Sequence, residues 1–168
     1  CMHGGIYILM KTEGALHEKM RGYVKNMMIF FIMTYVIVTA ATLIYQPHMT
    51  QAIHERPVFF VVALLNMFAI ANIPREIEAG RDGRAFISSC FNIICLLTLF
   101  AIGSFPNVVR AINAPGELSL TIFNSSSSDK TLEILLVIAA IGVPMVVAYT
   151  TAIYWVFRGK VKLESSSY

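Results

Sequence analysis

Charge is what this sequence has least of. Its 13 Lys and Arg and 10 Asp and Glu all avoid four stretches, about 27–45, 58–73, 85–105 and 134–157. A helix that shows one face to water carries charge on that face; these stretches carry none on any side. Each is about long enough to cross a ~30 Å hydrocarbon core. The chain is 57% hydrophobic and 14% charged, with a mean hydropathy of +0.67, whereas soluble domains run nearer ~25% charged. A water-soluble fold is excluded. The sequence specifies an all-α integral membrane protein, a bundle of transmembrane helices in a lipid membrane.

Other absences narrow the chemistry. Three cysteines are too few for a disulfide framework, and Cys90 and Cys95, five apart, form neither a C-x-x-C nor a zinc spacing. No glycine-rich nucleotide loop, P-loop or nucleophile elbow is present. The apolar stretches hold no pair of carboxylates; Glu133 is the one acid close to a span, at its end. Of four histidines, only His3 lies in an apolar segment, while His17, His48 and His54 fall in loops. A haem held between two histidines on two helices therefore has no candidate pair here. No Lys/Arg block of the tail type occurs, so nothing points to nucleic acid.

The basic residues that are present report orientation. Lys11, Lys19, Arg21 and Lys25 fall in segment 11–25, and Arg56 alone in 46–57. Arg75, Arg81 and Arg84 fall in 74–84, Arg110 and Lys130 in 106–130, and Arg158, Lys160 and Lys162 in the tail. This alternation follows the positive-inside rule. It places 11–25, 74–84 and the C-terminus in the cytoplasm and 46–57 and 106–130 outside.

Four complete spans are expected, at about 27–45, 58–73, 85–105 and 132–157, with the end of a fifth over 1–10. Ten residues are too few to cross, where about 20 are wanted. The first segment therefore reads as the inner half of a cut helix, and the chain as a C-terminal fragment forming a single transmembrane domain. Asn26 is a candidate cap for the first full span. The second sits between Pro57 and Pro74 and is short. Pro144 should kink the last span near 140–144, and Tyr154, Trp155 and Arg158 should anchor its inner end. The outer segment 106–130 is large enough for a structured cap. Its Asn124-Ser125-Ser126 fits the N-x-S glycosylation pattern, and Ser128 or Asp129 is placed to cap the last helix. Asn66 lies eight residues before Pro74 and Asn92 eight residues after Arg84. Equal distance from one tight turn puts both at one depth, where they should bond to each other across a helical hairpin. His3-Gly4-Gly5 reads as a close helix contact, with His3 bonding to a neighbour.

Several segments are similar to the second subunit of bd-type quinol oxidases. These are His3-Gly4-Gly5-Ile6-Tyr7 with Lys11-Thr12-Glu13-Gly14; Phe105-Pro106-Asn107; Leu120 through Ser127 with Thr131-Leu132; Val143-Pro144 with Ala148-Tyr149-Thr150; and Tyr154 through Val161. The matches run in order from residue 3 to residue 161. The resemblance implies a terminal respiratory enzyme of bacterial or archaeal plasma membranes that oxidises quinol and reduces oxygen to water. It implies haems b and d in a partner, subunit I, with subunit II a similar fold without haem that supports assembly and is a candidate to hold a quinone. It also implies about twice this length, so that this chain would be the C-terminal half. No catalytic position carries over. His3, Glu13 and Asn107 match family-like segments and, with Asn66 and Asn92, are the candidate polar contacts to a partner, a quinone or a water chain.

A second reading is a fragment of a secondary transporter. Ala79-Gly80-Arg81-Asp82-Gly83-Arg84 is similar to the glycine- and arginine-rich cytoplasmic hairpin of major-facilitator proteins. That reading requires a repeat of the loop elsewhere, and 168 residues contain none. The charge alternation makes a direct prediction: a reporter fused after Tyr168 reads as cytoplasmic, and one inserted within 106–130 reads as external. The opposite result at either position overturns the assignment.

Overall fold

A computed structural model describes residues 1–51, 55 and 57–159. His54, Arg56, Lys160, Lys162 and the C-terminus itself, all used above, lie outside the described residues. The described chain forms two compact units, Cys1–Ser104 and Phe105–Gly159.

Four helices build the first unit: α1 (Met2–Lys11), α2 (Gly14–Tyr45), α3 (Phe60–Glu78) and α4 (Asp82–Ser104). Short 3₁₀ turns over Pro47–Thr50 and Pro57–Phe59 lie between α2 and α3. Apolar side chains from all four helices meet in one core: Met2, Ile6 and Leu9 of α1, Val24 and Met28 of α2, Ile73 and Ile77 of α3, and Ala85 of α4. The core is small for a chain this apolar, because lipid is as good a solvent for leucine as another leucine is. Phe30, Ile44, Phe68, Leu97 and many other large apolar residues remain exposed. On a soluble protein they would form an adhesive surface; on a membrane helix they face the hydrocarbon.

The second unit holds a β-hairpin-like cap and one long helix. β1 (Asn107–Val109) pairs antiparallel with β2 (Leu120–Thr121), in the register Asn107↔Thr121 and Val109↔Leu120 with an irregularity between. A single helical turn, α5 (Pro115–Leu118), lies between the strands, and α6 runs over Asp129–Val156. The cap is held by side chains. The Asn124 amide accepts from Thr121 N at 2.6 Å and donates to Ser119 O at 3.0 Å, while Ser119 Oγ accepts from Ala111 N at 3.0 Å. Asn124 is thus a structural residue of the turn. At the C-terminal end of α6 the Arg158 guanidinium lies 4.1 Å above the Trp155 ring, a cation–π contact suited to the bilayer interface.

Of the helices, α2, α4, α6 and the segment Pro57–Glu78 containing α3 are each long and apolar enough to cross a membrane. This agrees with the all-α membrane class expected. Boundaries differ in four places. Segment 11–25 is not a loop: only Thr12 and Glu13 separate α1 from α2, and α2 runs on for 32 residues, about 48 Å. Asn26 therefore lies inside α2 and caps nothing. Pro74 lies inside α3, which continues to Glu78. A proline forfeits only one backbone bond, which does not end a helix packed this closely on its neighbour. Ser128 does hold the N-cap position of α6, but its hydroxyl pairs with Thr131 Oγ1 at 2.9 Å rather than with a backbone amide. Pro144 sits within α6, which is continuous across it.

The turn between α3 and α4 explains its own sequence. Arg81 N donates to Glu76 O at 2.8 Å and Gly80 N to Ile77 O at 3.0 Å. This double closure is a Schellman cap, which needs a left-handed residue at its turn; Gly80 supplies it at φ 69°. Arg81 then reaches back to the Glu76 carboxylate, Nε 2.7 Å from Oε2 and Nη2 3.1 Å from Oε1. The Nε approach is short but off the hydrogen-bonding axis, so that contact is ionic. Asp82 opens α4 with a negative charge at the positive end of the helix dipole.

Gly103 marks the tightest backbone approach. A Cβ there would stand 2.8 Å from Met49 O and 3.2 Å from Met49 Cβ, atoms that cannot swing aside. Gly103→Ala is expected to destabilise the fold by about 1–3 kcal/mol. Gly22, in α2 with nothing within 4 Å, provides the opposite sign: Gly22→Ala should stabilise by about 0.5–1 kcal/mol. Melting temperatures in detergent read both, and a Gly103→Ala protein as stable as the parent would contradict the contact.

Candidate functional site

The polar groups of the first unit gather on two levels. One level is the end where α1 stops, α2 starts and α3 turns into α4. Arg21 of α2 donates from Nη2 to the carbonyls of Ile77 at 2.9 Å and Glu78 at 3.2 Å. These carbonyls end a helix and lack partners within it, and a cation is what the negative end of the helix dipole favours. His17 of α2 bonds Leu9 O at 3.1 Å through Nδ1. A carbonyl only accepts, so that nitrogen carries the proton. Its Nε2 stands 3.7 Å from Asp82 Oδ2, an ion pair whenever the ring is protonated. One residue of α1, two of α2, two of α3 and one of α4 are tied together here. Arg21 and Arg81, one from each of the two basic segments, thus lie at one end of the unit.

The second level lies deeper. His3 Nδ1 is 2.8 Å from Ser89 Oγ, and Ser89 Oγ donates to Phe86 O at 2.7 Å. Serine has one hydroxyl proton, and the Phe86 carbonyl takes it. His3 is therefore the donor through Nδ1–H, which leaves Nε2 as the nitrogen with a lone pair when the ring is neutral. The His3 ring stacks on Phe86, centroids 4.9 Å apart and 25° between planes. Asn66 of α3 donates from Nδ2 to the Tyr35 hydroxyl of α2 at 3.3 Å. Asn72 of α3 donates to Ser88 Oγ of α4 at 2.9 Å.

The expected Asn66–Asn92 bond is not formed. Both asparagines are buried, but Asn66 turns to Tyr35, and neither side-chain oxygen has a partner. The bond joining the two helices is Asn72–Ser88 instead. Counted from the Ala79–Arg81 turn, Asn72 and Ser88 are level and Asn66 and Asn92 differ in depth by only about 3 Å; the pairing fails because Asn66 turns towards Tyr35 of α2. Tyr35, Asn72, Ser88 and Ser89 were the residues overlooked, since a neutral hydroxyl or amide in an apolar run gives no signal until the turn is placed.

The other candidates lie apart from this level. Glu13 is exposed between α1 and α2, at the N-cap position of α2 without a side-chain capping bond. Asn107 is half-buried and belongs to the second unit, where it opens β1 opposite Thr121.

A wide groove of about 510 Å³ lies along α3 and α4, lined by Leu65, Phe68, Asn72, Arg75, Ile87 and Phe91 among others. It is apolar apart from the Asn72–Ser88 rung and Arg75. Among the described residues no group of three or more His, Cys, Asp and Glu is close enough to hold a metal ion. His3 is engaged with Ser89 and Phe86, and His17 is bound to Leu9 and Asp82 at the other end of α1.

These features define a polytopic helical membrane domain whose polar groups serve to join helices. The family model described as cytochrome bd terminal oxidase subunit II matches residues 1–157, and the chain belongs to that family. No curated protein matches it. Family membership implies an oxidase complex with a partner subunit, haem in the complex and a quinol substrate. It gives no support to the transporter reading, and the Gly-Arg-rich turn that suggested a transporter is accounted for by the Schellman cap and its ion pair.

Ser89 is the joint between α1 and α4, fully buried. Ser89→Ala leaves His3 Nδ1–H without an acceptor and should cost about 1–3 kcal/mol. Thr98→Ala, at an exposed hydroxyl bonded only to Ile94 O, should cost far less. Equal losses in melting temperature would show that the His3–Ser89 bond does not support the fold.

Proposed function

We propose that this chain is the haem-free second subunit of a cytochrome bd quinol:oxygen oxidoreductase, supporting the assembly and function of a haem-bearing subunit I in aerobic respiration. The family match over residues 1–157 carries this reading. His3 joins α1 to α4 and His17 joins α2 to α1 and α4, roles in helix packing that call for no haem.

In this reading the haems b and d, and the chemistry of oxygen reduction, belong to the partner. This chain supplies a lipid-facing helical wall and a surface that holds subunit I in the plasma membrane, with its own C-terminus in the cytoplasm. The polar end formed by His17, Arg21, Glu76, Arg81 and Asp82 fixes how four helices enter the bilayer together. Glu13 and Asn107 are proposed as polar contacts to a partner or to quinone.

The test is purification of the complex from native membranes under mild detergent, with mass spectrometry of the co-purifying chains. A reduced-minus-oxidised spectrum with b- and d-type bands is expected, and the haem should follow a second, larger membrane chain when the subunits are separated. A colourless preparation with no such chain, or haem that stays with this chain after separation, would overturn the reading.

A further inference from the structure

Two buried oxygens of the first unit face no donor. Asn66 Oδ1 and Asn92 Oδ1 have no hydrogen-bond partner, and their side chains are 0% and 1% exposed. A buried acceptor without a donor is costly, and native proteins seldom leave one unfilled. At this burial no neighbouring chain and no lipid headgroup can reach either atom. The missing donor must lie inside the bundle.

Their positions bring the two oxygens to a similar depth on the buried faces of neighbouring helices. Asn66, Ala69, Ile73 and Ile77 recur on the buried stripe of α3, and Ala85, Ser89, Asn92 and Cys95 on that of α4. The Asn72–Ser88 bond sets the register of the antiparallel pair. From that rung Asn66 lies about 9 Å along α3 and Asn92 about 6 Å along α4 in the same direction, so they differ in depth by only about 3 Å. Both atoms are acceptors and cannot bond to each other. The species that satisfies both must donate two hydrogen bonds and be small enough for a packed interior. The neighbouring side chains on these stripes, Ala69 and Ser89, are themselves small.

We propose that one internal water molecule sits between α3 and α4 and donates to both Asn66 Oδ1 and Asn92 Oδ1. Buried waters in proteins occupy such sites, where two or more polar groups converge without other partners. The water links contacts that are otherwise separate. On one side Asn66 already holds Tyr35 of α2; on the other, Asn92 stands one turn from Ser89, which holds His3 of α1. A polar seam then crosses all four helices of the unit, with the water at its centre. This inference concerns the interior of the chain and stands whether or not the oxidase reading does.

The decisive measurement is a density map of the intact membrane complex at a resolution that resolves ordered water. A peak within about 3.2 Å of both oxygens is the expected result. An absence of density there, in a map that shows other internal waters, overturns the proposal. So does an Asn66 amide turned to accept from Tyr35 and donate directly to Asn92. Melting of Asn66→Leu, Asn92→Leu and the double variant gives a second reading. If one water serves both, the double variant loses less in melting temperature than the two single losses together, because the second substitution removes an oxygen the first has already orphaned. Strictly additive losses mean the sites are independent and also overturn the proposal.

Discussion

Hydrocarbon offers no hydrogen bonds. Every polar group that enters the bilayer must find its partner within the protein, and most of this structure follows from that constraint. It makes the spans helical, since a helix satisfies its own backbone. It leaves apolar contacts weak as a sorting force, because lipid competes with them on equal terms. The few polar side chains inside the spans therefore decide which helices are neighbours and in what register: Tyr35 with Asn66, Asn72 with Ser88, His3 with Ser89.

The same constraint acts at the end of the unit in a different form. There the helices stop, and their last carbonyls must be met. Arg21 meets those of Ile77 and Glu78 from a different helix, and the Gly80 turn meets that of Glu76 and shares that of Ile77 from within. Charge that served as an orientation signal in the sequence is also the material of the cap. Arg81, one of the basic residues of 74–84, pairs with Glu76, and Asp82, in the first turn of α4, stands beside His17. A short turn rich in glycine and arginine is what such a cap requires, and so it gives little information about family.

Much of the fold was legible in the sequence because charge exclusion over some twenty residues is a strong signal. The four spans and the structured segment between the last two could be read directly. The ends could not. Pro74 looked like a terminator and Asn26 like a cap because both residue types usually are; tertiary packing carried the helices through them. The depth of the two asparagines was legible to within a turn, but not which neighbour each faces: Asn66 turns to Tyr35, and the rung is Asn72 with Ser88. His3 was legible as a helix-joining residue by its type, but its partner was not, since a serine in an apolar run resembles any other small residue.

The turn over Ala79–Arg81 has a consequence for how the protein is made. Three residues give α3 and α4 no slack to separate, and the cap closes on bonds between positions only a few residues apart. Once both segments are in the bilayer they can only lie side by side, so Asn72 and Ser88 are held within reach of each other and neither amide nor hydroxyl has to search the lipid for a partner.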